Sequence, residues 1–339
     1  MTQEIKSVQG PFINIVPADN GGCGYYRMIQ QGNMLQLLNR DVVISPWGKW
    51  RAIGQEITYT QRITTQEMQE KLIKWKEQTK QKLIVDFDDL IWEYKGEGLP
   101  DYNLCRLKID TKANTEGLKK NLDRLADKVT CSTEILKDSL SEFVDPSKIT
   151  VIPNMLNYKE WYFPQTRRPD EDIFYYAGSW THYDNINKKP GDFDKNLIHF
   201  LANKKVIVKS TVPYFLKPIK NYPATRLTTY ATSFYQETRN VKFILAPLAD
   251  NVFNTCKSDL KYLESAAVGR VCLCSDFPGS PYSGAHPYQK IPVGSTSKAI
   301  QFIVDRASEH YDEILKWQWD YLNKRWLDNN IQQYIDILQ

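Results

Sequence analysis

Apolar residues in the first half of the chain fall into short runs, separated by longer stretches with helical spacing. Phe12–Val16, Val42–Ser45, Lys82–Phe87 and Lys128–Cys131 read as buried strands, and the stretches Tyr25–Asn39, Thr65–Lys80, Asn114–Arg124 and Glu134–Phe143 as helices between them. Ile149–Ile152 adds a short strand, and the proline-bounded polar stretch Pro153 to Pro169 reads as a linker. A second alternating set has strands at Ile173–Tyr176, Val206–Ser210, Val241–Ala246 and Arg270–Ser275. Strands alternating with helices demand parallel sheets, so the expected class is α/β, two Rossmann-like doubly wound halves facing a cleft. The expected divisions are residues 1–160, residues 161–310, and a Trp- and Tyr-rich helix over 311–339 that packs back on the first half.

The most patterned stretch runs from Asn254 to Asp276. Lys257, Lys261 and Glu264 stand at i, i+4 and i+7, sharing one helical face, while Leu260, Leu263 and Ala267 form an apolar stripe beside it. With Asn254 or Thr255 as N-cap, free N–H groups, Ser258 and two lysines would collect at the end of a preceding strand, which suits a phosphate. Glu264, deeper on that face, would accept two vicinal hydroxyls of a ribose. An ordinary solvent-facing helix with i, i+4 ion pairs explains the same spacing.

Three further segments carry candidate chemistry. After the first strand, Asp19-Asn-Gly-Gly-Cys-Gly-Tyr-Tyr-Arg27 sets Gly22 and Gly24 before a helix whose first turn holds Arg27, a fork for phosphate or carboxylate; the spacing is not the dinucleotide GxGxxG, and a plain βα turn is the alternative. Strand 82–87 runs into Asp86, Asp88 and Asp89, where a buried, crowded carboxylate would have a raised pKa suited to general-base work, or would merely cap the next turn. In the second half Gly178 and Ser179 offer a tight turn with N–H donors, His182 and Asp184 are placed to touch a sugar or phosphate as acceptor-binding groups, a structural His being the alternative, and Lys209 at a strand end points toward the cleft to neutralise a diphosphate.

Composition narrows the class. The chain has 339 residues, 42% hydrophobic, with no apolar run approaching a membrane span, and its start lacks a secretory pattern, so a cytoplasmic monomer is expected. Six cysteines show no paired metal spacing, Cys272 and Cys274 read as small core residues, and no metal or other cofactor is expected. The net charge of +4 permits a polyanionic partner without demanding one. Nine Trp and twenty Tyr exceed what a core easily buries, so some should line a ligand surface.

Taken together, GGCGYYRM, VDFDDLIW, VTCSTEIL followed by VIPNMLN, YAGSWTHYD and KSDLKYLESAAVG resemble GT-B fold glycosyltransferases, in the branch common in bacteriophage genomes. The resemblance implies a UDP-sugar donor held by the second half, with Glu264 on the ribose and Lys257, Lys261, Lys209 and the helix N-terminus on the diphosphate. Retaining relatives often carry a Glu where this chain has Cys256, which leaves the stereochemical course open. Phage enzymes of this appearance decorate 5-hydroxymethylcytosine in duplex DNA with glucose or arabinose. On that reading a carboxylate of the Asp86–Asp89 cluster orients or deprotonates the acceptor, Arg106 and Lys108 hold DNA phosphates, and Trp92 stacks on a flipped base. Polysaccharide or small-molecule acceptors are the rival within enzymes, and a nucleotide-sugar or nucleic-acid binding module the rival outside them.

Overall fold

The computed structural model describes residues 10–19, 21–46, 54–63, 65–92, 112–163, 168–178, 182–222 and 230–339, the side chain of Lys112 excepted. Two all-parallel six-stranded sheets account for the strands. The first contains β1 (Ile13–Val16), β2 (Val42–Ile44), β3 (Ile57–Gln61), β4 (Lys82–Phe87), β5 (Lys128–Cys131) and β6 (Ile149–Val151), in the order β2-β1-β3-β4-β5-β6. The second contains β7 (Ile173–Ala177), β8 (Lys205–Lys209), β9 (Lys220–Tyr222), β10 (Phe243–Ala246), β11 (Val271–Asp276) and β12 (Lys290–Pro292), in the order β12-β11-β10-β7-β8-β9. The order reverses between β1 and β3 in one sheet and between β7 and β10 in the other. Crevices for ligands open at the carboxyl ends of strands at such reversals.

Three strands lack a sequence signal. β3 is buried at all five positions yet carries Thr58, Thr60 and Gln61, so its polarity hides it; β9 and β12 have three residues each. The expected helix from Tyr25 is also less regular: Gly22–Gly24 and Gln30–Leu37 are α-helical, and Tyr25–Ile29 between them is a π turn. Such turns concentrate at functional sites.

The last segment closes the underside of the first sheet. Leu327, Tyr334, Ile337 and Leu338 share a core with Ile13, Ile15, Ile57, Ile84 and Ile152. The crossing is pinned where Leu156 N–H donates to Arg325 O at 3.1 Å and Leu327 N–H to Leu156 O at 2.8 Å. The aromatic surplus is mostly core: Trp92, Trp161, Tyr59, Tyr175, Tyr176, Tyr183, Tyr262, Tyr311 and Tyr334 are almost wholly buried. Tyr26, Tyr230 and Tyr282 instead line the cleft. Cys272 and Cys274 are buried on β11, and burial pushes the Cys272 thiol up to about 12, as inert core residues require. Among the described residues no helix is long and apolar enough to cross a membrane.

Candidate functional site

A cavity of about 480 Å³ lies where the two crevices meet, lined from one side by Asp19, Gly22, Tyr26, Asp88, Asp89 and Asn154 and from the other by Gly178, His182, Lys257, Ser258, Lys261 and Glu264. The segment behind Lys257 and Glu264 is not one helix. Asn251 caps a short helix, Val252–Thr255, the chain breaks over Cys256–Asp259, and a second helix, Leu260–Ala267, begins afterwards. Neither Asn254 nor Thr255 is a cap for it, and Lys257 sits on the break. The three polar side chains nevertheless converge on the cleft.

Their surroundings set their charges. Lys261 donates to the carbonyl of Ala177 at the end of β7, and burial lowers its pKa. Lys257 is buried too, but Asp89 across the cleft, 3.3 Å away, and Asp192 hold its proton and raise its pKa. Glu264, 4% exposed, is raised by burial, against which Lys261 and the Tyr26 hydroxyl pull. Tyr26 donates to its Oε1 at 2.5 Å across the two halves. Ser258 accepts a hydrogen bond from Asn154 at 2.7 Å, a second cross-cleft tie.

Several expected ligand groups are already spent. Arg27 is buried and locked onto Asp86, with Nη2 to Oδ1 at 2.6 Å and Nε to Oδ2 at 3.1 Å; its remaining nitrogen serves Ile152 O and Asn154. A donor phosphate therefore does not find a free guanidinium there, and Asp86, which also accepts from Thr130 at 2.7 Å, is a structural anion and not a base. Gly24 is required sterically, since a Cβ would lie 1.9 Å from Asp19 O, and its N–H, like that of Gly21, already donates to the Asp19 carboxylate. Gly22 does line the cleft. Lys209 pairs with Glu237 at 2.9 Å, so its charge is matched before any diphosphate arrives. Asp184 accepts from the backbone of Ile186 and Asn187 and from the Asn187 amide, capping its own turn. Trp92 is fully buried between Phe87 and Phe143 with its indole N–H on Ser139, so it cannot stack on a base. Gly178 lines the cavity, and a Cβ there would collide with the Tyr176 hydroxyl at 1.9 Å. Ser179, Arg106 and Lys108 lie outside the described residues.

The remaining carboxylates are held by a residue without a sequence signal. Arg62, just beyond β3, adopts φ +54°, a region costly for a side chain bearing a Cβ. It forks onto Asp88 with two contacts of 2.7 Å and reaches Asp89 at 3.0 Å and Cys23 Sγ at 3.1 Å. Burial raises the Asp88 pKa, but the Arg62 charge and hydrogen bonds prevail and hold it at about 2, opposite to the expected shift. Cys23, Asp88 and Asp89 offer ligand atoms within 4.8 Å of one another. The Arg62 guanidinium donates to all three.

No family model matches the sequence, and no curated protein matches it. Solved structures do. Anabaena HepE in complex with UDP and glucose superposes with a TM-score of 0.61 at 10% identity, over 96% of this chain and 98% of that one. A glycosyltransferase from Rickettsia africae gives 0.57 at 13% identity, over 96% and 97%. The fold is GT-B. The apo lipopolysaccharide outer core galactosyltransferase WaaB gives 0.54 at 12% identity, over 96% and 98%. At such identities the GT-B architecture persists with few shared side chains, so the roles of individual residues rest on the geometry of this cleft.

Proposed function

We propose that the chain is a glycosyltransferase that moves a sugar from a UDP-sugar to a hydroxyl of a saccharide acceptor. The observation that carries this reading is the meeting of two lysines and a buried carboxylate on one wall of an interdomain cleft, the donor set a nucleoside diphosphate needs. Lys257 and Lys261 neutralise the diphosphate, and Glu264 accepts the ribose hydroxyls once Tyr26 yields. HepE, of the same fold, was solved with UDP and with UDP-glucose, which supports the donor class. Asp89, half-buried at the cleft wall between Arg62 and Lys257, is the carboxylate best placed to orient an acceptor hydroxyl.

A saccharide acceptor is favoured over hydroxymethylated DNA because the base-stacking role assigned to Trp92 is lost to its burial, and because WaaB, similar in fold, acts on lipopolysaccharide outer core. The test is transfer of label from a panel of UDP-sugars onto oligosaccharides and onto duplex DNA with 5-hydroxymethylcytosine. Label on a saccharide, lost in Lys257→Ala and Asp89→Ala, is the expected result. Label confined to the modified duplex would restore the DNA acceptor, and UDP binding undiminished in Glu264→Ala would refute the nucleotide assignment.

A further inference from the structure

The loop after β7 folds back on itself to pair two side chains. His182 Nδ1 lies 2.6 Å from Asp192 Oδ2, and Asp192 N–H donates to His182 O at 2.8 Å. Gly191, at φ +64°, makes that closure possible, since a Cβ there would sit 2.1 Å from His182 O. The other Asp192 oxygen accepts from the Asn254 amide at 2.7 Å and from Ala249 N–H at 3.2 Å. The carboxylate is thus wholly buried and fixed on several sides, while the imidazole keeps one edge on the cleft.

A carboxylate on Nδ1 fixes the tautomer that carries its hydrogen there, so Nε2 holds a lone pair. Such a nitrogen does nothing for a phosphate until it is protonated. Burial and the nearby Lys257 and Lys261 ammonium groups oppose protonation, Asp192 favours it, and the balance keeps the His182 pKa below its ordinary value. Across the cleft, Asp88 and Asp89 have their charge met by Arg62 and, for Asp89, by Lys257 as well. A diphosphate entering beside the two lysines reverses this balance, because it cancels their repulsion and adds its own attraction.

We propose that the Asp192–His182 pair is the third cation of the diphosphate site, neutral before the donor binds and protonated on Nε2 from solvent as the diphosphate arrives, so that Nε2–H donates to a phosphate oxygen. Asp192 acts as the positioning residue and His182 as the group that touches the donor. The cleft thereby carries its full positive charge only when the anion is present. This rests on the UDP-sugar reading of the same cleft.

Calorimetric titration of UDP into the full-length protein, at about pH 7.5 in buffers of differing ionisation enthalpy, reads the protons taken up. The difference between wild type and His182→Gln cancels the nucleotide's own ionisation. Wild type should take up roughly half to one proton more per UDP than His182→Gln, and Asp192→Asn should move that uptake to lower pH. Equal uptake in wild type and a folded His182→Gln that still binds UDP would overturn the proposal and leave the nucleotide reading standing. Should His182→Gln fail to fold, an Asp192→Asn uptake profile identical to wild type overturns it instead. Wild-type protein that binds no UDP would remove the nucleotide reading and this inference together.

Discussion

Asp88 and Glu264 are carboxylates lining one cleft, and their surroundings push them in opposite directions. Asp88, held at about 2 against an ordinary 3.8, adds stability that is complete above the unfolded value and lost as pH falls through about 2. The shift corresponds to roughly 2 kcal/mol. The thermal midpoint of wild type should therefore drop steeply below about pH 4, and that of Asp88→Asn, already lower at neutral pH, should drop less. Glu264 has the contrary sign. Its pKa is raised by burial, so its favourable contribution exists only below its unfolded value and disappears as pH rises through the folded one. In its ionised form this buried carboxylate is a cost to stability. Glu264→Gln should raise the melting temperature by roughly 2 °C while weakening UDP binding tenfold or more. A melt and a calorimetric titration on the same sample check both halves of that statement.

Among the elements, the π turn Tyr25–Ile29 separates neighbouring side chains into different tasks, Tyr26 onto Glu264 and Arg27 onto Asp86. Removing one partner of that buried pair leaves an uncompensated charge, so Arg27→Met should cost roughly 3–5 kcal/mol in urea unfolding, and Arg27→Met with Asp86→Leu should recover most of it. At the break over Cys256–Asp259, Cys256 is 1% exposed and belongs to the core that holds Phe87, Trp92 and Phe253. These two elements also show what was legible in the sequence. Periodicity located most strands and both sheets, because burial on two faces writes an apolar run, and it failed at β3, whose polar residues are buried but hydrogen-bonded: Gln61 to Asp88, Thr58 to Gln55. The spacing of Lys257, Lys261 and Glu264 placed them on one helical face, whereas they converge on the cleft across a break between two helices. Arg62, Asp192 and Glu237, which pair with Asp88, His182 and Lys209, carry no local pattern at all, because only the fold brings each to its partner. Arg27 and Asp86 are visible in the sequence as charged groups, one a candidate fork for phosphate and the other a candidate base, but not as partners of each other, for the same reason.

At the scale of the whole molecule, the two halves meet through apolar packing and through polar contacts across the cleft. The apolar packing is that of the C-terminal segment, whose residues complete the core of the first sheet, and of Phe253 and Cys256, which join the core around Phe87 and Trp92. The polar contacts span the cleft through Tyr26 to Glu264, Asn154 to Ser258 and Asp89 to Lys257. Each of these contacts uses a group of the proposed donor site, so on that proposal the donor exchanges them for its own. Tyr26 is the most direct competitor, because its hydroxyl occupies the Glu264 oxygen that a ribose hydroxyl would take. Replacing it with Phe keeps the ring among Tyr25, Trp161 and Tyr230 and removes only the donor. Without UDP, Glu264 then loses a hydrogen bond, and the protein should be about 1 kcal/mol less stable. With UDP, the ribose no longer displaces the phenol, so affinity should rise roughly threefold to tenfold, the two effects being one free-energy difference read from opposite sides. Titration of UDP into Tyr26→Phe decides it, since a loss of affinity would mean that the Tyr26 hydroxyl assists the donor and the observed contact is part of the bound state.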